Sequence, residues 1–101
     1  MHLLVTASFA KATKKLHARQ KVELDTALKR ICNDPTIGEA KVGDLLGVYV
    51  YKFRLSEQQC LLAHRILNRD SIKLLIFGHH ENFYRDLRYL TTLSLVIFYQ
   101  I

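Results

Sequence analysis

The chain has 101 residues, half of them hydrophobic, and its 15 Lys and Arg against 9 Asp and Glu give a formal charge of +6. This length and composition predict one small folded domain and exclude both a two-domain chain and wholesale disorder. Seven basic and two acidic residues fall within positions 1–30. A positive surface favours partners rich in phosphate or carboxylate, although a solvated lysine face would give the same composition.

The two cysteines, Cys32 and Cys60, have no third or fourth partner, which excludes a disulfide framework and a zinc knuckle. The start of the chain, from Met1 to Ala7, lacks the charged leader and the small-residue cleavage site of a secretion signal. We therefore predict a cytoplasmic protein.

The first third of the chain predicts a strand and two helices. A short apolar run, Leu3 to Val5, precedes hydroxyl residues that can cap a helix. Apolar residues then recur at helical spacing from Ser8 to about His17, with lysines on the other side. The pattern resumes at Arg19 with a stripe that ends at Asn33-Asp34-Pro35. The stripe consists of Leu24, Ala27, Leu28 and Ile31.

The middle of the chain predicts a loop and an antiparallel meander. Pro35 to Gly47 contains the only proline and three of the four glycines, which is typical of an ordered loop. Val48 to Leu55 is β-branched and aromatic and alternates strongly, as a strand does. Further strands are predicted for Cys60 to Leu67 and Ile72 to Phe77, and their short polar links favour antiparallel pairing.

Two C-terminal stretches complete the predicted fold. His79 to Arg88 has the composition of a short turn or helix. Residues 90–101 carry no charge, favour strand, and are shorter than the roughly 20 residues that a membrane-spanning helix needs. We therefore predict an α+β fold with an N-terminal strand, a two-helix hairpin, an antiparallel β-meander and a short C-terminal helix. Residues 1–89 form the domain, and the apolar tail 90–101 adds a strand.

Motifs for nucleotide hydrolysis and zinc proteolysis are missing from the sequence. Neither GxGxxG nor GxxxxGK[ST] occurs, and no HExxH places two histidines at the i, i+4 spacing of a helical metal site. We therefore predict no metal and no cofactor.

Basic and aromatic side chains cluster on the predicted strands and just after them. They are Lys52, Arg54, His64, Arg65, His79, His80, Tyr84 and Arg85. Cleavage of RNA without a metal requires the 2′-OH to be deprotonated, the phosphorane charge to be stabilised and the 5′ oxygen to be protonated. Histidine, with an unperturbed pKa of about 6.5, is the natural proton carrier, and lysine and arginine stabilise the charge.

Each of these residues also has a structural interpretation. Cations on strands commonly do no more than face solvent, which applies to Lys52, Arg54 and Lys73. The aromatic residues that share a face with Leu55 are more often core than a base-stacking platform; they are Tyr49, Tyr51 and Phe53. His64 could be a half-buried strand residue with a local hydrogen bond, and Cys60 a small buried apolar residue.

Two segments, together with the order of elements over residues 1–88, resemble the RelE/ParE superfamily of bacterial type II toxins. The first is the loop-to-strand stretch from Asp34 to Phe53, and the second runs from Ile76 to Leu87. Within the second, Gly78-His79-His80-Glu81-Asn82-Phe83-Tyr84 is similar to the Gly-x-His-x-x-x-aromatic ending of the YafQ-type ribonucleases.

The resemblance implies a RelE-like fold, a cognate antitoxin with which the chain forms a hetero-oligomer, and one of two actions. RelE-like members cleave messenger RNA, usually on the ribosome, whereas ParE-like members bind and poison DNA gyrase. Our first hypothesis is a metal-independent, ribosome-associated endoribonuclease, and the alternative is a gyrase inhibitor that is not an enzyme. Neither requires a membrane.

The resemblance also implies roles for individual residues. His80 would be the general acid or base, Arg65 the stabiliser of the phosphorane, and Tyr84 a base stack or proton donor. The residues expected to bind RNA are Lys52, Arg54, Lys73 and Arg85. We expect the antitoxin to bury apolar surface and to place acidic groups against the basic face, covering Lys52, Arg54 and Arg65.

Overall fold

A computed structural model describes the backbone of residues 1–100 and the side chains of residues 1–91. The elements in chain order are β1 (His2–Val5), α1 (Ala7–Lys14), α2 (Ala18–Asn33), β2 (Glu39–Ala40), a 3₁₀ turn (Gly43–Leu45), β3 (Val48–Leu55), β4 (Gln58–Asn68), β5 (Ser71–Gly78) and α3 (His80–Gln100). The predicted α+β class and order of elements are confirmed.

The strands form a single five-stranded sheet in the order β1-β5-β4-β3-β2. The predicted meander β3-β4-β5 is antiparallel, and the register places Leu62 between Tyr51 and Phe77. β1 instead pairs in parallel with β5. A parallel neighbour needs a crossover connection, and the helical hairpin α1–α2 begins that connection over one face of the sheet.

The helical hairpin closes that face. Thr6 caps α1 by accepting a hydrogen bond from the backbone N–H of Phe9, which orients Phe9 into the core. α2 ends before Asp34-Pro35, as predicted, because proline cannot continue a helix. The buried residues of this core, which we call the hairpin-side core, are Phe9, Leu24, Ile31, Leu55, Cys60, Leu62, Ile72, Leu74 and Phe77.

α3 covers the opposite face with a second core. Its buried members, the α3-side core, are Leu45, Val48, Val50, Leu61, Ala63, Leu75, Phe83 and Leu87. The face that carries the exposed cations Lys52 and Arg54, expected to be basic, thus also buries an apolar core. β4 is the reason, since its run from Cys60 to Ala63 is buried on both sides and needs cover on both.

The C-terminal element is longer than expected, and the strand predicted for the tail is wrong. α3 continues to Gln100, so residues 90–100 extend a helix that starts at His80. Adding residues to an existing helix is much easier than nucleating a new element, and strand preference depends strongly on context. Residue 101 and the side chains after Thr91 lie outside the described part, so the division into domain and tail stays a prediction.

The segment predicted as a loop contains β2, the edge strand that pairs with β3. The backbone of Gly38 has φ +97°, and a Cβ at this position would lie 2.5 Å from the Val50 carbonyl oxygen. Only glycine allows this approach. The pairing of Glu39 with Val50 and the hydrogen bond from the Lys41 N–H to the Val48 oxygen (2.9 Å) then fix the residues that follow.

Candidate functional site

The first turn of α3 places an imidazole against a phenol ring. His80 and Tyr84 are four residues apart on one helical face, and their ring centroids are 5.8 Å apart at an interplanar angle of 74°. Phe83 is buried and meets the Tyr84 ring edge-on at 5.2 Å, which anchors that ring. The predicted pair of His80 and Tyr84 is thus brought together at a surface, with His80 exposed and Tyr84 half-buried.

Two cations lie over the Tyr84 ring. The Lys41 ammonium is 4.8 Å from the ring centroid, and the Arg88 guanidinium carbon is 6.0 Å from it. Both distances fit cation–π contacts. Lys41 comes from the segment after β2, and Arg88 comes from the next turn of α3. This arrangement leaves Tyr84 a poor platform for a stacked base, and it favours the proton-donor role over the other role we predicted.

Each of these cations is paired with a carboxylate. Lys41 Nζ lies 2.7 Å from Glu39 Oε1, and Arg88 Nε lies 2.9 Å from Asp44 Oδ2. The hydrogen bond with Glu39 is the largest cause of the raised pKa of Lys41, and the hydrogen bond with Tyr84 is the second. The Lys41 ammonium in turn lowers the pKa of Glu39.

Lys52 and Arg54 lie on β3, on the α3 side of the sheet. Lys52 pairs with Leu61, which pairs with Gly78, so two strand spacings, about 10 Å, separate its backbone from the residues that lead into α3. Lys52 also contributes to the lowered pKa of Glu39, which places its charge near the same site. Arg54 is exposed and donates a hydrogen bond to the Glu57 carbonyl oxygen (3.0 Å).

Arg65 and Lys73 occupy the other end of the sheet. They pair across β4 and β5, and Arg65 lies four residues beyond Leu61, about 13 Å along the strand. Arg65 Nη1 donates a hydrogen bond to the Leu46 carbonyl oxygen (3.2 Å). A Cβ on Gly47, whose φ is +93°, would lie 2.7 Å from that nitrogen. The structure therefore places Arg65 on the same face as His80 but not beside it.

The last predicted RNA-binding residue, Arg85, projects from α3 into solvent. Its side chain is 74% exposed and its Nε lies 3.5 Å from Asp86 Oδ1. Exposed pairs of this kind are worth at most about 1 kcal/mol, so Arg85 is available to an anionic partner.

His64 has the structural role that we had considered for it. It is fully buried, it stacks on Tyr49 at 5.5 Å, and its Nε2 donates to the Pro35 carbonyl oxygen, 2.6 Å away. Within the described side chains its Nδ1 has no hydrogen-bond partner. Burial lowers the pKa of His64, an effect that the Pro35 bond opposes. Cys60 is likewise buried, and burial raises the pKa of its thiol to about 11, which makes it a poor nucleophile.

Sequence reasoning missed Lys41 and Arg88. They are 47 positions apart and contact the same Tyr84 ring only because the segment after β2 lies close to α3. The spacing of Tyr84 and Arg88, i and i+4 on a predicted helix, was the one available signal. Among the described residues, no group of three or more His, Cys, Asp or Glu side chains could hold a metal ion.

None of the helices in the described part of the chain is long and apolar enough to cross a bilayer.

Solved structures similar to this chain share its fold. A free E. coli RelE toxin carrying two arginine-to-alanine substitutions has a TM-score of 0.69 at 17% identity, over 92% of this chain and 95% of that chain. RelE in the intact E. coli RelBE toxin-antitoxin complex has a TM-score of 0.62 at 18% identity, over 79% and 96%. The isolated E. coli RelE toxin has a TM-score of 0.57 at 16% identity, over 88% and 97%.

A search of curated protein sequences found no significant match. A family model does match: the model for the ParE-like toxin of type II bacterial toxin-antitoxin systems fits residues 3–88, most of the chain. This match shows that the chain belongs to the ParE-like toxins of type II toxin-antitoxin systems, and together with the RelE-like fold it confirms the predicted RelE/ParE superfamily.

Proposed function

We propose that this toxin is a metal-independent endoribonuclease that cleaves messenger RNA, most effectively on the ribosome. One observation supports this proposal above the others: the exposed His80 imidazole lies against the Tyr84 ring at the start of α3, and Lys52 lies two strands away on the same face of the sheet. The fold shared with RelE adds general support.

The proposed reaction is an attack of the ribose 2′ oxygen on the adjacent phosphorus, with loss of the 5′ oxygen. His80 acts as the general base that removes the 2′-OH proton, a task for which imidazole is the most common side chain in enzymes. The Tyr84 hydroxyl gives its proton to the leaving 5′ oxygen, so one proton is removed and one is supplied. Lys52, on the same face of the sheet as this pair, stabilises the negative charge that develops on the phosphorane.

The remaining cations would bind the RNA backbone around this centre. Arg54 continues the row begun by Lys52, and Arg85 extends it along α3. Lys73 and Arg65 lie at the far end of the sheet, where they could bind a more distant phosphate. The role of phosphorane stabiliser predicted for Arg65 stays a prediction, and Lys52 is better placed for it.

Inhibition of DNA gyrase is the second candidate function. The family model is named for ParE-like toxins, and the separation of Arg65 from His80 also favours this reading. In that case the cations would contact a protein surface and no RNA would be cut.

We further propose that a cognate antitoxin neutralises the chain and that both act in the cytoplasm. RelE was solved with the antitoxin RelB and with a RelB peptide, which supports such a partner here. The antitoxin segment would set acidic groups over Lys52, Arg54 and Arg65. A structure of the complex that leaves all three cations open to solvent would contradict this part.

The test of the enzymatic proposal is a histidine exchange followed in cells. After brief induction, the wild type should arrest growth and leave mapped cut sites in messenger RNA. His80→Ala should reduce cutting at least 100-fold, in line with the usual contribution of a general acid or base. His2→Ala is the matched control, because His2 is an exposed histidine on β1, far from α3 along the chain, and should cut like the wild type.

The opposite result is equally clear. If His80→Ala arrests growth as strongly as the wild type, while transcripts stay intact and cleaved gyrase–DNA complexes accumulate, the ribonuclease proposal fails and the gyrase proposal takes its place.

A further inference from the structure

The strongest unassigned feature is the pair of cations that flanks Tyr84. We propose that Lys41 and Arg88 form a binding site for the phosphate backbone of single-stranded RNA, which Glu39 and Asp44 occupy until RNA displaces them. This inference rests on the proposed function, because it names where the substrate is held beside His80 and Tyr84.

The shape of the site fits a nucleotide. A cavity of about 370 Å³ opens between the segment after β2 and α3, with Lys41, Arg88 and Tyr84 on its walls. Ala40, Val42 and Leu45 provide an apolar lining for a ribose or base. Cations beside an apolar floor are what a phosphate with its attached sugar requires.

The cations are less exposed than the anions that cover them, and the difference is largest at Lys41. The Lys41 side chain is 18% exposed and rests on the Tyr84 ring, whereas the Glu39 side chain is 65% exposed. The Arg88 side chain is 53% exposed and Asp44 is 66% exposed. Glu39 and Asp44 can therefore turn into water at little cost, while Lys41 keeps its position.

A phosphodiester can make the same contacts that these carboxylates make. The two carboxylates approach at 2.7 and 2.9 Å, the distances of charge-assisted hydrogen bonds. An RNA phosphate in the cavity can take the place of the carboxylate on either cation, and its binding also releases condensed counterions. Glu39 and Asp44 thus act as internal competitors that weaken RNA binding without blocking the site.

The experiment measures binding separately from cleavage. The probe is a fluorescent 2′-O-methyl RNA dodecamer, which lacks the attacking hydroxyl and cannot be cut, and its anisotropy is followed from 50 to 300 mM salt. Lys41→Ala and Arg88→Ala should each weaken binding several-fold. Each should also reduce the slope of log affinity against log salt by about 0.7, the value for one lost contact to a single strand.

The carboxylate variants should act in the opposite direction. Glu39→Gln and Asp44→Asn should each strengthen binding about two- to five-fold, because neither anion then has to be displaced. Asp25→Asn is the matched control, since it makes the same change of charge at an exposed pair on α2, Lys29–Asp25 at 3.7 Å. Lys29→Ala is the corresponding control for the lost cations.

Two outcomes would overturn the inference. In the first, Glu39→Gln and Asp44→Asn bind the RNA probe no better than Asp25→Asn does. In the second, Lys41→Ala and Arg88→Ala bind the probe as well as Lys29→Ala does. Either could occur in a chain that still cuts RNA through His80, which leaves the proposed function intact. Conversely, a chain that binds the probe through Lys41 and Arg88 but cuts no RNA supports the inference and contradicts the ribonuclease proposal.

Discussion

The two faces of the sheet each bury an apolar core, but they differ in the exposure of their histidines. The hairpin side and the α3 side each bury a continuous apolar core, and β4 contributes alternately to both. Each side also contains a histidine. His64 is fully buried near the end of α2, whereas His80 is exposed and lies beside Tyr84. Burial therefore distinguishes the two histidines: His64 is enclosed by the fold, and His80 is open to the substrate that we propose.

The largest effect should come from shortening a core side chain on either face. Leu61 and Leu62 are neighbours on β4 that point into opposite cores and are almost fully buried. Leu61→Ala and Leu62→Ala should each lower the free energy of unfolding by about 2–5 kcal/mol, because each leaves a cavity. Urea denaturation followed by circular dichroism measures the loss.

The control for this comparison is Leu67→Ala, at a β4 residue that is 45% exposed. It should cost less than about 1 kcal/mol. If Leu61→Ala costs no more than Leu67→Ala, α3 does not form a genuine second core, and the faces are less alike than the structure indicates.

A smaller but more specific effect should follow from Tyr84→Phe. This change keeps the ring on which Lys41 rests and removes only the hydroxyl. The rate of RNA cleavage should fall at least about 10-fold, as expected for the loss of a proton donor, with unfolding unchanged. Tyr89→Phe is the control, because Tyr89 lies on the same helix and is 68% exposed. Equal rates for the two variants would remove Tyr84 from the proposed chemistry.

The buried histidine on the hairpin side, His64, should make the free energy of unfolding depend on pH. Burial holds the pKa of His64 below its ordinary 6.5, so below pH 6.5 the unfolded chain binds a proton that the folded chain does not. The stability contributed by neutral His64 is therefore complete above pH 6.5 and is lost as the pH falls from there toward the folded-state pKa. The slope from this single group can reach about 1.4 kcal/mol per pH unit.

His64→Gln should flatten that slope, because glutamine does not titrate and can still donate to the Pro35 oxygen. The measurement is the free energy of unfolding between pH 5.5 and 7.5 for both chains. An unchanged slope in His64→Gln would mean that another group causes the loss.

Much of the fold could be predicted because its signals are local. The helical stripe that includes Leu24 and Ile31 and the stop at Pro35 defined α2, and the alternation from Val48 to Leu55 defined β3. Parallel pairing of β1 with β5 could not be predicted, because it depends on where the hairpin packs. β2 was missed because it has two residues and exists only through its contact with β3.

For the candidate site, too, only the contacts between residues close in sequence could be predicted. His80 and Tyr84 are one helical turn apart, so the sequence was enough to bring them together. Lys41 reaches Tyr84 only through tertiary contact, and its position in a loop gave no indication of a partner 43 residues later. His64 and Arg65 were grouped with the catalytic candidates although neighbouring strand residues point to opposite faces.

The smallest effect on RNA cleavage should come from Arg65, which lies at the far end of the α3 side of the sheet. Arg65 is bonded to the Leu46 carbonyl and lies about 13 Å along β4 from the residue that pairs with Gly78. Arg65→Gln should therefore lower RNA cleavage less than about five-fold, the effect of a remote phosphate contact of roughly 1 kcal/mol. Lys52→Gln should lower it more. If Arg65→Gln is instead as damaging as His80→Ala, RNA must draw the two ends together, and the stabilising role that the family resemblance implied for Arg65 would be the better account of this face.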